Sequence, residues 1–267
     1  MKSNRGCLSG LLSTWDRAIE KTEQLIAQKQ QLKKGLMQLL LTGKVRFKEF
    51  VKSNKMKETK LGMVPEDWDI TSLKEMLREA RLGGNYENSE SHEGVPVIKM
   101  GNLGRGSIKI NKVQCLPKFE HFEAVDVLGN GDLLFNTRNT LDLVGKVAIW
   151  RNELPFAVYN SNLLRMKFQE SKVESTEFMN YVFNSNYGLV QLRGFATGTT
   201  SVAAIYDRDL QGFKVKLPSL REQMKICQLL RTIEKSTSVL QGTLEQIKSQ
   251  KNGLMQQLLT GKVRVKT

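Results

Sequence analysis

Hydrophobic and polar residues alternate along this chain with two different periods. Near both ends the period is helical. Ala18, Leu25, Leu32 and Leu39 recur every seven residues, with Ile19, Ile26 and Leu40 beside them. Ile233, Leu240, Ile247 and Leu254 do the same, supported by Leu244 and Leu258. Apolar rows sustained over about four heptads, without proline, predict two long helices whose seams pair as an antiparallel coiled coil. Leu25, Leu32, Leu36, Leu39 and Leu40 in the first helix, and Leu240, Ile247, Leu254 and Leu258 in the second, are the expected pairing positions. Between the helices the period drops to two. Short runs at 95–100, 107–113, 132–137, 144–150, 162–168 and 213–218 alternate β-branched or apolar with polar residues and are punctuated by Gly and Asn, as strands are. Residues 72–80 fit one helical turn or two, and 176–193 return to helical spacing. The fold class expected is α+β: one mixed domain flanked by two long helices.

The helices are copies of one element. Residues 35–46 read GLMQLLLTGKVR and residues 253–264 read GLMQQLLTGKVR, a constant offset of 218. That spacing is too long for a solenoid and describes one element used twice around a separate domain. Gly43 and Gly261 stand where a left-handed C-terminal cap belongs. Gly35 and Gly253 are interior, each costing about 1 kcal/mol relative to Ala, and predict the close approach of another backbone. Ser219 and Glu222 have the spacing of a capping box at the start of the second helix. The expected organisation is a stub at 1–13, a first helix at 14–46, a basic linker at 47–60, a domain at 61–217 and a second helical region at 218–267.

Charge sharpens this division. The net charge of +14 suggests an acidic partner such as nucleic acid. Residues 1–59 carry 13 Lys and Arg against 5 Asp and Glu, and residues 218–267 carry 9 against 3. The middle is neutral, 19 against 19, so a DNA-binding middle domain must segregate its basic residues on one face. From Gly94 to Phe119 five basic residues stand with no acidic one, a hint of such segregation. Cys7, Cys115 and Cys227 are far apart, without CxxC spacing, which fits a reduced cytoplasmic chain. No stretch is long and apolar enough for a transmembrane helix or a signal peptide.

Catalytic patterns are missing. Thr42-Gly43-Lys44 lacks the remainder of a phosphate loop, and Gly101–Gly106 has the wrong spacing for a dinucleotide loop. Asp132, Asp142 and Lys146 are the only set that tempts a metal-nuclease reading, and turns between strands explain them equally well. No adenine-methyltransferase tetrapeptide of the Asn-Pro-Pro-Tyr kind occurs. A binding protein is the favoured class. Base edges are read by Arg, Asn, Gln, Ser and Thr, while Lys tracks phosphate. The candidates, in Gly/Asn/Thr loops flanked by strands, are Lys99, Asn102, Arg105, Asn136, Arg138, Asn139, Lys146, Arg193, Thr197, Thr199, Thr200 and Ser201. Each is equally readable as a solvated loop residue or a turn-former.

Several of these segments carry a family likeness. The helix ending at 35–44, the K-x-T-x-L-G-x-V-P-E-D-W stretch to Trp68, the strand-rich middle, the L-P-x-L-x-E-Q-x-x-I run at 217–226 and the second helix ending at 253–262 together resemble the specificity (S) subunit of type I restriction–modification systems. Residues 135–150 and 196–206 are similar to parts of that family's target recognition domains. The resemblance implies a subunit that reads double-stranded DNA without catalysis. Its helices would act as a ruler and dock modification (M) subunits, and restriction (R) subunits through them. S-adenosylmethionine, ATP and Mg would sit on those partners, with no cofactor on this chain. The usual subunit has two recognition domains, whereas this chain has helix, one domain, helix. A half-length form would read one half-site, and a homodimer would read a symmetric split site. The alternative is a truncated or silent remnant that docks but reads nothing.

Overall fold

The computed structural model describes residues 2–86, 93–117, 120–199 and 201–260, with side chains from residue 13 onward. Two compact units form, one from residues 1–36 with 228–267 and one from residues 37–227. The fold is mixed α+β, with a long helix at each end of the described chain, Lys2–Leu40 and Leu220–Leu259. The first helix starts at Lys2, so the expected stub at 1–13 is part of it.

Within the first unit, ion pairs join the two helices in antiparallel order. Lys33 meets Glu234 at 2.6 Å, Glu23 meets Lys248 at 2.9 Å, and Asp16 meets Lys251. One run of buried and half-buried positions follows three–four spacing in both helices, beside others such as Ala18, Ser236 and Met255. In the first helix it falls on Trp15, Ile19, Thr22, Ile26, Lys29, Lys33 and Leu36. In the second it falls on Ile233, Thr237, Leu240, Leu244, Ile247, Lys251 and Leu254, each 218 residues further on. This corrects the seam expected from the leucine row. Leu25, Leu32 and Leu39 are 46%, 49% and 37% exposed and lie off that face. Leu36 and Leu40 lie on it, as do Leu240, Ile247, Leu254 and Leu258, each at least half-buried. Gly35 and Gly253 also differ from expectation, because a Cβ added at either meets nothing within 4 Å. No backbone approaches them among the described residues.

The second unit is built on a four-stranded antiparallel sheet in the order Leu77–Leu82, Leu163–Phe168, Leu133–Asn136, Val147–Ile149. Leu133–Asn136 is buried along its whole length, whereas the edge strand Leu77–Leu82 alternates half-buried with exposed residues. That contrast marks a strand covered on both faces against one with a solvated face. The edge strand begins where the single helical turn Leu73–Met76 ends, so the stretch at 72–80 makes one turn and its last four residues are extended. A short sheet adds Val158–Tyr159 parallel to Pro96–Ile98 and Gln114–Cys115 antiparallel to it. Residues 107–113 form no strand, only a single bridge from Leu103 to Ile108. The helical stretch is two helices, Thr176–Asn184 and Asn186–Phe195. They break at Ser185, whose hydroxyl caps the second by accepting from Gly188 N at 3.2 Å.

An anchor at the ends of the long helices completes this unit. Gly43, at φ 73°, closes the first helix as a Schellman cap, with Lys44 N bonded to Leu39 O and Gly43 N to Leu40 O. The chain then delivers Arg46 to two carboxylates. Its guanidinium donates to Glu222 Oε1 and Oε2, both at 2.8 Å, and to Asp67 Oδ1 at 2.8 Å and Oδ2 at 3.0 Å. Trp68 Nε1 donates to Glu222 at 3.1 Å. The hydrogen bonds it donates to Glu222, and then those to Asp67, hold the Arg46 pKa well above its usual value. Ser219 Oγ accepts from Glu222 N at 3.4 Å as an N-cap should, but the Glu222 carboxylate is engaged by Arg46 and Trp68.

Candidate nucleic-acid interface

The two segments singled out in the middle domain are about sixty residues apart in sequence and meet in space. Arg138–Asn139, Ala203–Ala204 and Thr197–Gly198 form a three-stranded antiparallel sheet. Ala204 is opposite Arg138 and Ala203 opposite Asn139. The 197–204 hairpin is held by Thr199 N to Val202 O at 2.8 Å, and Gly198, at φ 125°, has no room for a Cβ against Val202 O. Arg138, Thr197, Thr199 and Ser201 are exposed on this sheet and its tip. Thr200 lies outside the described residues. Asn139 is half-buried, and its carboxamide oxygen accepts from Thr140 N at 2.9 Å.

A second group gathers beside it. Arg105 is exposed, and Nη2 bonds the Asp142 carbonyl at 3.4 Å. Burial, then the nearby Arg193, lowers the Arg105 pKa. Burial, then Arg105 and Lys109, lowers that of Lys146. Arg193 thus acts on Arg105, and Arg105 and Lys109 act on Lys146, and none of the four has a carboxylate in ion-pair reach among the described residues. Several other basic residues of the unit are matched. Arg165 pairs with Glu79 and Asp132, Arg81 with Glu123 and Asp126, Arg151 with Glu177, and Lys167 with Glu79. Carboxylates thus neutralise some of the domain's basic residues, whereas Arg105 lies near Arg193, and Lys146 near Arg105 and Lys109, without such a partner; Lys74, Lys112 and Lys214 also stand outside the ion pairs among the described residues. Like charges held together without counter-charges raise the local potential and favour a polyanion.

Three candidates are engaged internally. Asn102 is buried; its carboxamide oxygen accepts from Lys99 N at 2.9 Å, and its nitrogen donates to Lys109 O at 3.1 Å and Lys112 O at 3.2 Å. It ties the 99–112 segment together, so its carboxamide has no edge left for a base. Asn136 is also fully buried, its oxygen accepting from Arg138 N at 3.2 Å. Lys99 is half-buried, with Nζ donating to Gln114 Oε1 at 2.8 Å. Asp132 and Asp142 do not make a metal site. Asp132 serves Arg165 and Gly129 N, and among the described residues no cluster of three or more metal-ligating side chains occurs. No helix among them is long and apolar enough to cross a membrane.

Comparison with known proteins decides the family. The pattern described as "Type I restriction modification DNA specificity domain" matches residues 65–249. The chain belongs to this family. The specificity-domain chain is 30% identical over 265 residues to the type I restriction enzyme MjaVIII specificity subunit of Methanocaldococcus jannaschii, covering 97% of this chain and 60% of that protein. It is 22% identical over 252 residues to the type I restriction enzyme EcoKI specificity subunit of Escherichia coli K12, covering 93% and 52%. The chain thus spans about half to three fifths of the length of the curated relatives it matches. In fold it is similar to the crystal structure of the type I restriction–modification system S subunit from M. genitalium, with a TM-score of 0.57 at 13% identity, covering 96% of this chain and 61% of that one. The family's place in a restriction–modification enzyme is targeting, not catalysis.

Proposed function

We propose that this specificity-domain chain reads one half of a split DNA sequence for a type I restriction–modification complex in the cytoplasm. The observation that carries this reading is the unneutralised group Arg105, Lys109, Lys146 and Arg193 beside the exposed Arg138, Thr197, Thr199 and Ser201. The cations fix the domain on phosphates, and the Arg and hydroxyl side chains of the small sheet reach base edges. The long helices act as an antiparallel coiled-coil ruler. About 30 helical residues span ~45 Å, on the order of one turn of DNA plus a few base pairs. Leu25, Leu32 and Leu39, exposed along the first helix, are docking positions for the modification subunit, which brings S-adenosylmethionine. Restriction subunits, bound through it, bring ATP and Mg. A homodimer sets two domains at opposite ends and reads a symmetric site.

Methylome sequencing of a host expressing this chain with its modification partner tests the reading. One modified motif is expected, relaxed or lost in Arg105→Ala/Arg138→Ala. An unchanged motif in the double variant refutes the site assignment. Salt dependence separates the two groups. Arg193→Ala should weaken binding about equally for all sequences and reduce the slope of log K against log salt by about 1. A second reading follows from the share of its relatives that the chain spans: a silent piece that docks on the modification subunit but reads nothing. A two-to-two complex that binds one sequence favours the reader; a complex with no sequence preference favours the silent piece.

A further inference from the structure

The turn Asn160-Ser161-Asn162 leads from Val158–Tyr159 into Leu163–Phe168, the strand at the centre of the main sheet. Its backbone is braced from several sides. Asn160 N bonds Ile98 O at 3.1 Å, Ser161 N bonds Gly84 O at 2.9 Å, and Leu163 N bonds Asn160 O at 3.0 Å. Asn160 Oδ1 accepts from Asn162 N at 3.3 Å, closing an Asx turn. Asn162 O accepts from Thr137 twice, from N at 3.1 Å and from Oγ1 at 2.9 Å. The backbone of Asn162 is therefore fixed on both sides. Its half-buried carboxamide has no hydrogen-bond partner among the described residues.

Asn162 also stands on the divide between two open clefts and lines both. One, of about 600 Å³, is walled by Lys99, Lys109 and Lys112 and by amides including Asn111 and Asn160, with no carboxylate in its lining. The other, of about 310 Å³, is walled by Leu82, Ile205 and the 55% exposed Tyr206, next to Arg138. Its one carboxylate, Asp207, accepts from Gln211 Nε2 at 2.7 Å. A carboxamide free of internal partners on a fixed backbone, with a cationic, amide-lined cleft on one side and an apolar wall on the other, matches the major-groove edge of one base pair. Asn and Gln pair bidentately with adenine N6 and N7, and an apolar surface suits the thymine methyl of the same pair. The fixed backbone limits where the carboxamide can reach, and its unused donor and acceptor remain available to a base edge.

We propose that Asn162 is a specificity-determining residue that reads an A·T pair within the half-site, with the Leu82/Ile205/Tyr206 wall receiving the thymine methyl. This rests on the DNA-reading function proposed above. The test selects duplexes from a randomised library with the full chain bound to its modification subunit. Asn162→Ala should lose preference at one A·T position, by about tenfold or more, while its affinity for unselected duplex matches wild type. At that position 7-deazaadenine, which lacks N7, should weaken wild type but leave Asn162→Ala unaffected, and uracil in place of thymine should weaken both. Asn162→Asp keeps the turn geometry and exchanges a donor for an acceptor, so it should shift preference towards cytosine. Unchanged preference in Asn162→Asp overturns the proposal even if Asn162→Ala fails to fold. Equal loss on every duplex in Asn162→Ala also overturns it, because it marks the residue as a brace only. A wild type that selects a sequence whose A·T positions ignore Asn162 refutes this inference alone; a wild type that selects nothing refutes the DNA-reading function as well.

Discussion

The two copies of the repeated helix bury the same positions against each other and differ in character on an outward row. At matched positions, Ile26 and Leu244 are both buried, and Leu36 and Leu254 both half-buried. Lys33 corresponds to Lys251, and Asp16 to Glu234. The pairs Lys33–Glu234 and Asp16–Lys251 are therefore one contact made twice, related by an approximate two-fold axis. Pairing of this kind is self-complementary, as in an isologous dimer interface. On the outward row the first copy has Leu25, Leu32 and Leu39 where the second has Thr243, Gln250 and Gln257. Duplication kept the buried positions and the two-fold ion pair, while the leucine row of the first copy became polar in the second.

The largest effect is expected where the first copy is anchored. The Arg46 and Glu222 side chains are 7% and 2% exposed, and truncating Glu222 leaves a buried guanidinium without its main partner. Glu222→Ala should cost roughly 3–5 kcal/mol, read as a fall in chemical-denaturation midpoint. The same cluster sets an acid limit. The hydrogen bonds from Arg46 lower the Asp67 pKa below its usual carboxylate value. A group whose folded pKa is depressed contributes stability above the unfolded pKa and loses it as pH falls towards the folded one. Stability should therefore decline below about pH 4, and Asp67→Asn should flatten that decline. A variant as acid-sensitive as wild type removes Asp67 from the account.

Next comes the seam. Ile26→Ala opens a buried position and should cost about 2–4 kcal/mol. Leu25→Gln, one residue away on the exposed row, should stay within about 0.5 kcal/mol. Equal losses at the two positions would reinstate the leucine row as the pairing face.

Glycines at two positions of the same repeat sharpen the contrast further. Gly43 has φ 73°, and a Cβ there would meet Pro65 Cδ at 2.5 Å. Gly43→Ala should lose about 2 kcal/mol from left-handed strain and this clash. Gly35 is helical with open space around it, so Gly35→Ala should gain about 1 kcal/mol. Thermal melts of the two variants should move in opposite directions.

Much of this was legible in the sequence, and the misses have particular causes. The Gly43 cap and the strands at 133–136, 147–149, 163–168 and 214–217 followed from local residue chemistry. The seam was misread because a row of leucines in one copy was taken as the pairing face, whereas the buried row beside it mixes Trp15, Ile19 and Ile26 with Thr22, Lys29 and Lys33. Position 25 is Leu in one copy and Thr243 in the other, whereas position 26 is Ile in one and Leu244 in the other. Leu77–Leu82 was hidden because LREARL has helix-forming composition and becomes a strand through its partner Leu163–Phe168. Asn102 looked like a base reader because its loop is polar, and only the fold shows both ends of its carboxamide engaged within the loop. Asn162 was missed for the converse reason. Asn-Ser-Asn reads as an ordinary turn, and what distinguishes it is the pair of clefts formed by segments remote in sequence.

The smallest predicted effect bears most directly on the two-fold relation. Lys33 and Glu234 are each about 30% exposed, so their 2.6 Å contact is worth about 0.2–1 kcal/mol. Lys33→Glu alone sets two carboxylates together and should destabilise by a similar amount. Adding Glu234→Lys should restore most of the loss, because the exchange recreates the pair in reverse. The matched exchange at Asp16 and Lys251 should behave alike if the contacts are equivalent. Coupling at one site and none at the other, measured by double-mutant cycles at low salt, would show that the copies have diverged within the seam as well as outside it.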